Sequence, residues 1–98
     1  MNDAISFMYE EPRNQLEKNG SVYTLRLKKR KTVGKGWYNY HRGDIKRGDV
    51  YIKFIDDFLN RDEKLERYVK GSGFSSLKEW LKKAKKSRYL YKVRIMEE

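Results

Sequence analysis

The sequence predicts a small α+β domain: a curled mixed sheet, or partial β-barrel, with flanking helices. Two observations carry this. The chain has 98 residues, room for one hydrophobic core and for a single domain spanning residues 1–98. Polar and apolar residues alternate in three separate stretches while helical spacing governs others, so strands and helices are mixed along the chain. The expected order is helix, strand, basic strand-loop, strand, helix, helix, strand. So few strands, strongly twisted, tend to curl.

Residues 9–18 read as a short helix. Glu10 and Glu11 suit its first turn, where acids meet the positive end of the helix dipole, and Pro12 sits where a missing N–H costs least. Asn19 and Gly20 form a stop signal. Val22, Thr24, Arg26 and Lys28 then alternate with Tyr23, Leu25 and Leu27. This is a strand, with the Tyr23, Leu25 and Leu27 face toward the core. Residues 29–43 are basic, aromatic and punctuated by Gly34 and Gly36, with room for a short strand at Trp37–Tyr40. Lys46 to Asp49 reads as a tight turn. In the next stretch Val50, Ile52 and Phe54 alternate with Tyr51, Lys53 and Ile55, a strand fairly apolar on both faces and therefore central.

A helix is expected over Asn60–Val69. Asn60 would cap it with Glu63 at capping-box spacing, and Leu59, Leu65, Tyr68 and Val69 would point inward. Ser75 or Ser76 would cap a second helix, in which Leu77, Trp80, Leu81 and Ala84 recur at helical spacing. Residues 88–95 alternate once more, with Tyr89, Tyr91, Val93 and Ile95 on one face, and close the sheet.

Composition narrows the function. Cysteine is absent, which excludes disulfides, thiolate metal sites and a cysteine nucleophile. One histidine, His41, excludes a His-rich zinc site. Neither a metal nor a cofactor is expected. No apolar run reaches the roughly 18 residues of a membrane span, and residues 1–16 carry acids rather than a secretory signal, so a cytoplasmic location is expected. A single glutamine among abundant Lys, Arg and Glu is similar to a thermophile's composition.

The net charge of +10 is concentrated. Residues 21–53 hold ten basic and two acidic side chains, and residues 77–98 hold eight and three, while the two remaining blocks are close to neutral. A charge spread for solubility would be even, whereas a binding charge is usually concentrated. In the first basic block Arg26, Lys28, Arg30, Lys31, Lys35, Arg42, Lys46 and Arg47 surround Trp37, Tyr38 and Tyr40. Cations meet phosphates and rings stack on bases, so the mixture points to nucleic acid, and RNA with unstacked bases above duplex DNA. The plainer alternative makes the three rings strand core. Because neighbours on a strand alternate faces, at least one ring should stay exposed.

Two further groups are weaker signals. Lys78 to Lys86 form a phosphate track or simply the solvated face of a helix. Asp56-Asp57 and Asp62-Glu63 suit strand-end and helix-start acids better than general base work. Gly34-Lys35-Gly36 lacks the spacing of a phosphate-binding P-loop.

Four segments together resemble ASCH domains, relatives of the PUA RNA-binding domain. They are Thr24-x-Arg26 after the first helix, Ile45 to Val50 with its basic-Gly-Asp turn, Ser72 to Leu81 with its Gly-Phe helix start, and Tyr89 to Val93 in the last strand. The resemblance spans about residues 10–96. It implies a PUA-like partial barrel whose cleft holds RNA, a nucleotide or a modified base. Some members are hydrolases, amidohydrolases of acetylated cytidine or ribonucleases, and the resemblance leaves Thr24, Lys31 and His41 as catalytic candidates. The lysine of the amidohydrolase pattern has no counterpart here, since Ser21, Val22 and Tyr23 follow Gly20. The expectation is therefore an RNA-binding domain with a basic, aromatic cleft, with hydrolysis of a modified nucleoside or RNA as the alternative.

Overall fold

In a computed structural model, which describes residues 3–96, the alternating stretches pair into one five-stranded sheet. The strands are β1 (Asp3–Ser6), β2 (Ser21–Arg26), β3 (Gly34–Asn39), β4 (Gly48–Asp57) and β5 (Tyr89–Ile95). Their spatial order is β1-β3-β4-β5-β2, with β1 parallel to β3 and every other pair antiparallel. Helix α1 (Glu10–Asn19) follows β1, while a 3₁₀ helix (Asp62–Gly71) and helix α2 (Leu77–Ala84) lie between β4 and β5. This is the α+β architecture expected, with a mixed sheet curled into a half-barrel. No helix among the described residues is long and apolar enough to cross a membrane.

The sheet has two cores, one on each face. Ile5, Leu16, Val22, Val50, Ile52, Tyr91 and Val93 fill the concave side, which α1 covers. Leu25, Leu65, Val69, Trp80 and Leu90 form the second cluster, under the 3₁₀ helix and α2. Each fully buried aliphatic or aromatic side chain contributes about 1.5–3 kcal/mol by leaving water. Strand β4 is central as expected, and Ile55, at a bulge between Phe54 and Asp56, packs against the second cluster.

Local signals hold at several ends. Gly20 terminates α1 in the left-handed region (φ 84°), its N–H donating to the Leu16 carbonyl at 2.8 Å. Ser76, not Ser75, caps α2, its hydroxyl accepting from the Glu79 N–H at 3.2 Å.

Several expectations are corrected. Strand β1 lies in a segment where no strand was expected; four residues show no period on their own, and β1 exists through its register with Gly36–Asn39. Strand β2 ends at Arg26, which leaves Leu27 60% exposed instead of inward. Leu25 is buried as expected and Tyr23 packs beside it, but Val22 and Thr24 on the opposite face are buried as well, because the curled sheet has a core on each side. The Asn60–Val69 helix is a 3₁₀ helix that starts at Asp62. Asn60 takes left-handed backbone (φ 59°), whereas an N-cap needs extended backbone, and Leu59 is 52% exposed.

Candidate functional site

The half-barrel does not close. Its free edges, β1 and β2, approach each other across a gap bridged by side chains rather than by a ladder. The Arg26 Nη2 group donates to the Ser6 carbonyl at 3.0 Å, and an Arg30 guanidinium N–H donates to the Ala4 carbonyl at 3.3 Å. Beside this bridge lies a cleft of about 220 Å³. Phe7 and Tyr9 line it from the β1–α1 junction, Thr24 and Arg26 from β2, and Phe74, Trp80 and Lys83 from the 3₁₀ end and α2.

Two glycines let the chain reach this position. A Cβ on Gly71 would stand 2.6 Å from the Tyr23 ring, and one on Gly73 (φ 91°) would collide with the Glu11 carbonyl oxygen. The Gly71–Phe74 segment can therefore cross the β2 edge against α1 and deliver Phe74 to the cleft. Ser72 holds that crossing, its hydroxyl donating to the Val69 carbonyl at 2.6 Å and accepting from the Phe74 N–H at 3.1 Å.

Arg26 dominates the electrostatics. Its guanidinium carbon lies 5.1 Å from the Phe7 ring centroid. Its Nε is cut off from water and has no hydrogen-bond partner. Burial, reinforced by repulsion from Arg30 and opposed by Tyr91, pulls its pKa down to about 10. A buried donor without an acceptor costs about 1–3 kcal/mol, and more on a charged group. Thr24 adds a hydroxyl to the same cleft, and the Lys83 ammonium sits 5.0 Å from the Tyr9 ring centroid at its rim. Cationic floor, hydroxyl and aromatic walls suit a small, flat, hydrogen-bonding ligand with negative charge. The volume is below the roughly 300–1,000 Å³ of drug-sized pockets, so one planar group fits and not several.

The basic aromatic block is dispersed. Tyr38 is buried, and its hydroxyl donates to Glu17 Oε2 at 2.9 Å; burial and that bond push its pKa up to about 12. Tyr40 donates to the same oxygen at 2.7 Å, which raises its pKa, and the Arg13 and Arg47 guanidinium carbons lie 4.0 and 4.1 Å from its ring centroid. Trp37 is half-buried on the other face of β3, with Lys35 exposed beside it. Lys46 pairs with Asp49 at 2.6 Å, and Arg42 is exposed on the β3–β4 loop. Lys28 and Lys31 are exposed beyond β2, and the Arg30 N–H donates to the Tyr91 hydroxyl at 2.6 Å.

Thr24, Lys31 and His41 do not converge. Thr24 lines the cleft, Lys31 does not, and His41 sits on an exposed turn 3.5 Å from Asp44. Among the described residues no cluster of His, Asp or Glu could hold a metal ion. Phe7, Tyr9, Phe74 and Trp80 are the cleft residues that sequence reasoning missed as a site, whereas Lys83 belongs to the lysine run read as a phosphate track or a solvated face. Helical spacing marked Trp80 correctly as core, but nothing local shows that core to be a cleft wall. The chain matches no family model, and no curated protein or solved structure is significantly similar to it.

Proposed function

We propose that the protein binds RNA, with one unstacked base or nucleotide seated in the cleft between β1 and β2. The observation that carries this is Arg26: a half-buried arginine whose Nε is buried without an acceptor, beside the Thr24 hydroxyl, in a cleft with aromatic walls. An acceptor on the ligand, a base carbonyl or a phosphate oxygen, would pair with the guanidinium where Arg26 lines the cleft. The net charge of +10 draws the polyanion, and Lys83 at the rim suits a neighbouring phosphate. The resemblance to ASCH domains supports the same reading, because its Thr-x-Arg pair, Thr24 and Arg26, meets in this cleft. No observation favours hydrolysis over binding, since Lys31 and His41 stand outside.

The test is an anisotropy titration with short single-stranded RNA at two salt concentrations, using wild type and Arg26→Met. Affinity should fall about tenfold in the variant, the value of one charge-assisted hydrogen bond. Thermal stability should hold or rise, because the substitution removes a desolvated charge. Unchanged affinity in a folded Arg26→Met protein would overturn the cleft as the site.

A further inference from the structure

The convex face of the sheet is covered on one half only. Leu25, Leu90 and Ile55 meet the 3₁₀ helix and α2, but among the described residues no element covers the other half. Cross-strand register arranges that open half. One row runs Lys35, Tyr51, Arg94, Ser21, and the next runs Lys53, Lys92, Tyr23. Trp37 flanks the first row from β3, opposite Asp49. Tyr51, Lys53, Lys92 and Arg94 line a shallow depression of about 490 Å³.

Two features of this face work against the fold. Lys53 and Lys92 are directly opposite on neighbouring strands, an arrangement that destabilises a sheet. Among the described residues no carboxylate is within ion-pair distance of Lys35, Lys53, Lys92 or Arg94, and Asp49 on this face is taken by Lys46. The cations rest against rings instead: Arg94 lies 5.6 Å from the Tyr51 centroid and Lys92 5.6 Å from that of Tyr23. Tyr51 nevertheless keeps 40% of its surface exposed.

We infer that this open half-face is a second binding surface, for a single RNA strand whose phosphates neutralise Lys35, Lys53, Lys92 and Arg94 while a base stacks on Tyr51. Charge complementarity selects a polyanion, because four cations stand here with no acid paired to them among the described residues. The exposed ring selects an unpaired strand, since a duplex keeps its bases stacked internally. Strands about 4.8 Å apart, and rows two residues apart, present the cations as a grid that an extended backbone can follow. The inference shares only its ligand class with the cleft reading and stands on different residues.

The experiment titrates the protein with fluorescein-labelled 12-nucleotide oligouridylate and with a duplex RNA of equal length, at several salt concentrations. The variants are Lys53→Ala/Lys92→Ala, Tyr51→Ala, Arg26→Met and the charge-matched control Lys64→Ala/Lys70→Ala on the 3₁₀ helix. The sheet double variant should lose about tenfold or more in affinity at 0.1 M salt and flatten the log–log salt slope by about 1.4, for two single-strand phosphate contacts. Tyr51→Ala should lose about five- to 150-fold on oligouridylate, the range of one stacked base, and little on the duplex. The control should bind as wild type does. Circular dichroism melts should show both sheet variants folded, since every substituted side chain is exposed or, at Lys92, half-exposed.

Wild-type affinity and slope in the sheet double variant would overturn the inference. So would equal losses in the control, a Tyr51→Ala protein that binds oligouridylate normally, or wild type that binds polyglutamate as tightly as RNA. Loss in the sheet variants with normal binding in Arg26→Met would sink the cleft reading and keep this one. The reverse pattern would do the opposite.

Discussion

Tyr40 and Arg26 each sit in an assembly of cations and rings, and the two assemblies differ in completeness. At Tyr40 every group has a partner: two guanidiniums lie against the ring, and Glu17 accepts from both Tyr40 and Tyr38. At Arg26 one N–H is buried with nothing to accept it. The first is closed on itself and braces α1 against β3. The second is left incomplete by the fold at the mouth of a cleft. A density of basic and aromatic residues is therefore a poor guide to a site, and an unsatisfied buried group is a better one.

The comparison can be broken at its strongest point by Trp80→Ala. Trp80 is 2% exposed and forms both core and cleft wall. Its truncation should cost about 3–5 kcal/mol in chemical denaturation, the range for large aromatic residues in cores. A loss below about 1 kcal/mol would mean that the wall serves a ligand and not the fold.

Glu17→Ala sharpens the contrast next. It strips the acceptor from two tyrosine hydroxyls, at a cost of about 1 kcal/mol, and should leave RNA affinity unchanged. The raised pKa of Tyr38 gives the same bond a pH signature. A folded value near 12, above the ordinary phenol, means a contribution fully present below about pH 10 and lost as pH rises through 12. Absorbance at alkaline pH should show Tyr38 ionising earlier in the variant. An unchanged titration would remove the closed assembly from the comparison.

The smallest effect is expected at the base of β5, away from both assemblies. Arg88 donates to both Asp57 carboxylate oxygens, at 2.8 and 2.5 Å, and holds that carboxyl below its usual range. Its contribution is present above about pH 4 and lost as pH falls through the lowered native value. Asp57→Asn should lower stability slightly at neutral pH and flatten the acid limb, because the contribution it removes is one that wild type loses on acidification. A steeper acid limb would reverse the assignment.

Much of the architecture is legible along the chain. The spacing of Leu77, Trp80, Leu81 and Ala84, the Gly20 stop and the alternation in β4 and β5 are short-range patterns, because helix and strand periods are set within a few residues. The face that each strand buries is less legible. Arg26 reads as the solvent side of β2, yet it is half-buried and its guanidinium bonds the β1 residue Ser6, 20 positions earlier in the chain. Lys53 and Lys92 each look like ordinary outward lysines, and only antiparallel register 39 positions apart sets them side by side.

Helix and strand identity, their approximate limits and the concentration of positive charge were decided by local chemistry: propensity, capping, period and composition. Which strands form the edges, where the half-barrel stays open and which cations are left without acids were decided by long-range pairing. Pairing depends on which complementary faces bury the most apolar surface together, and no short window of residues contains both partners.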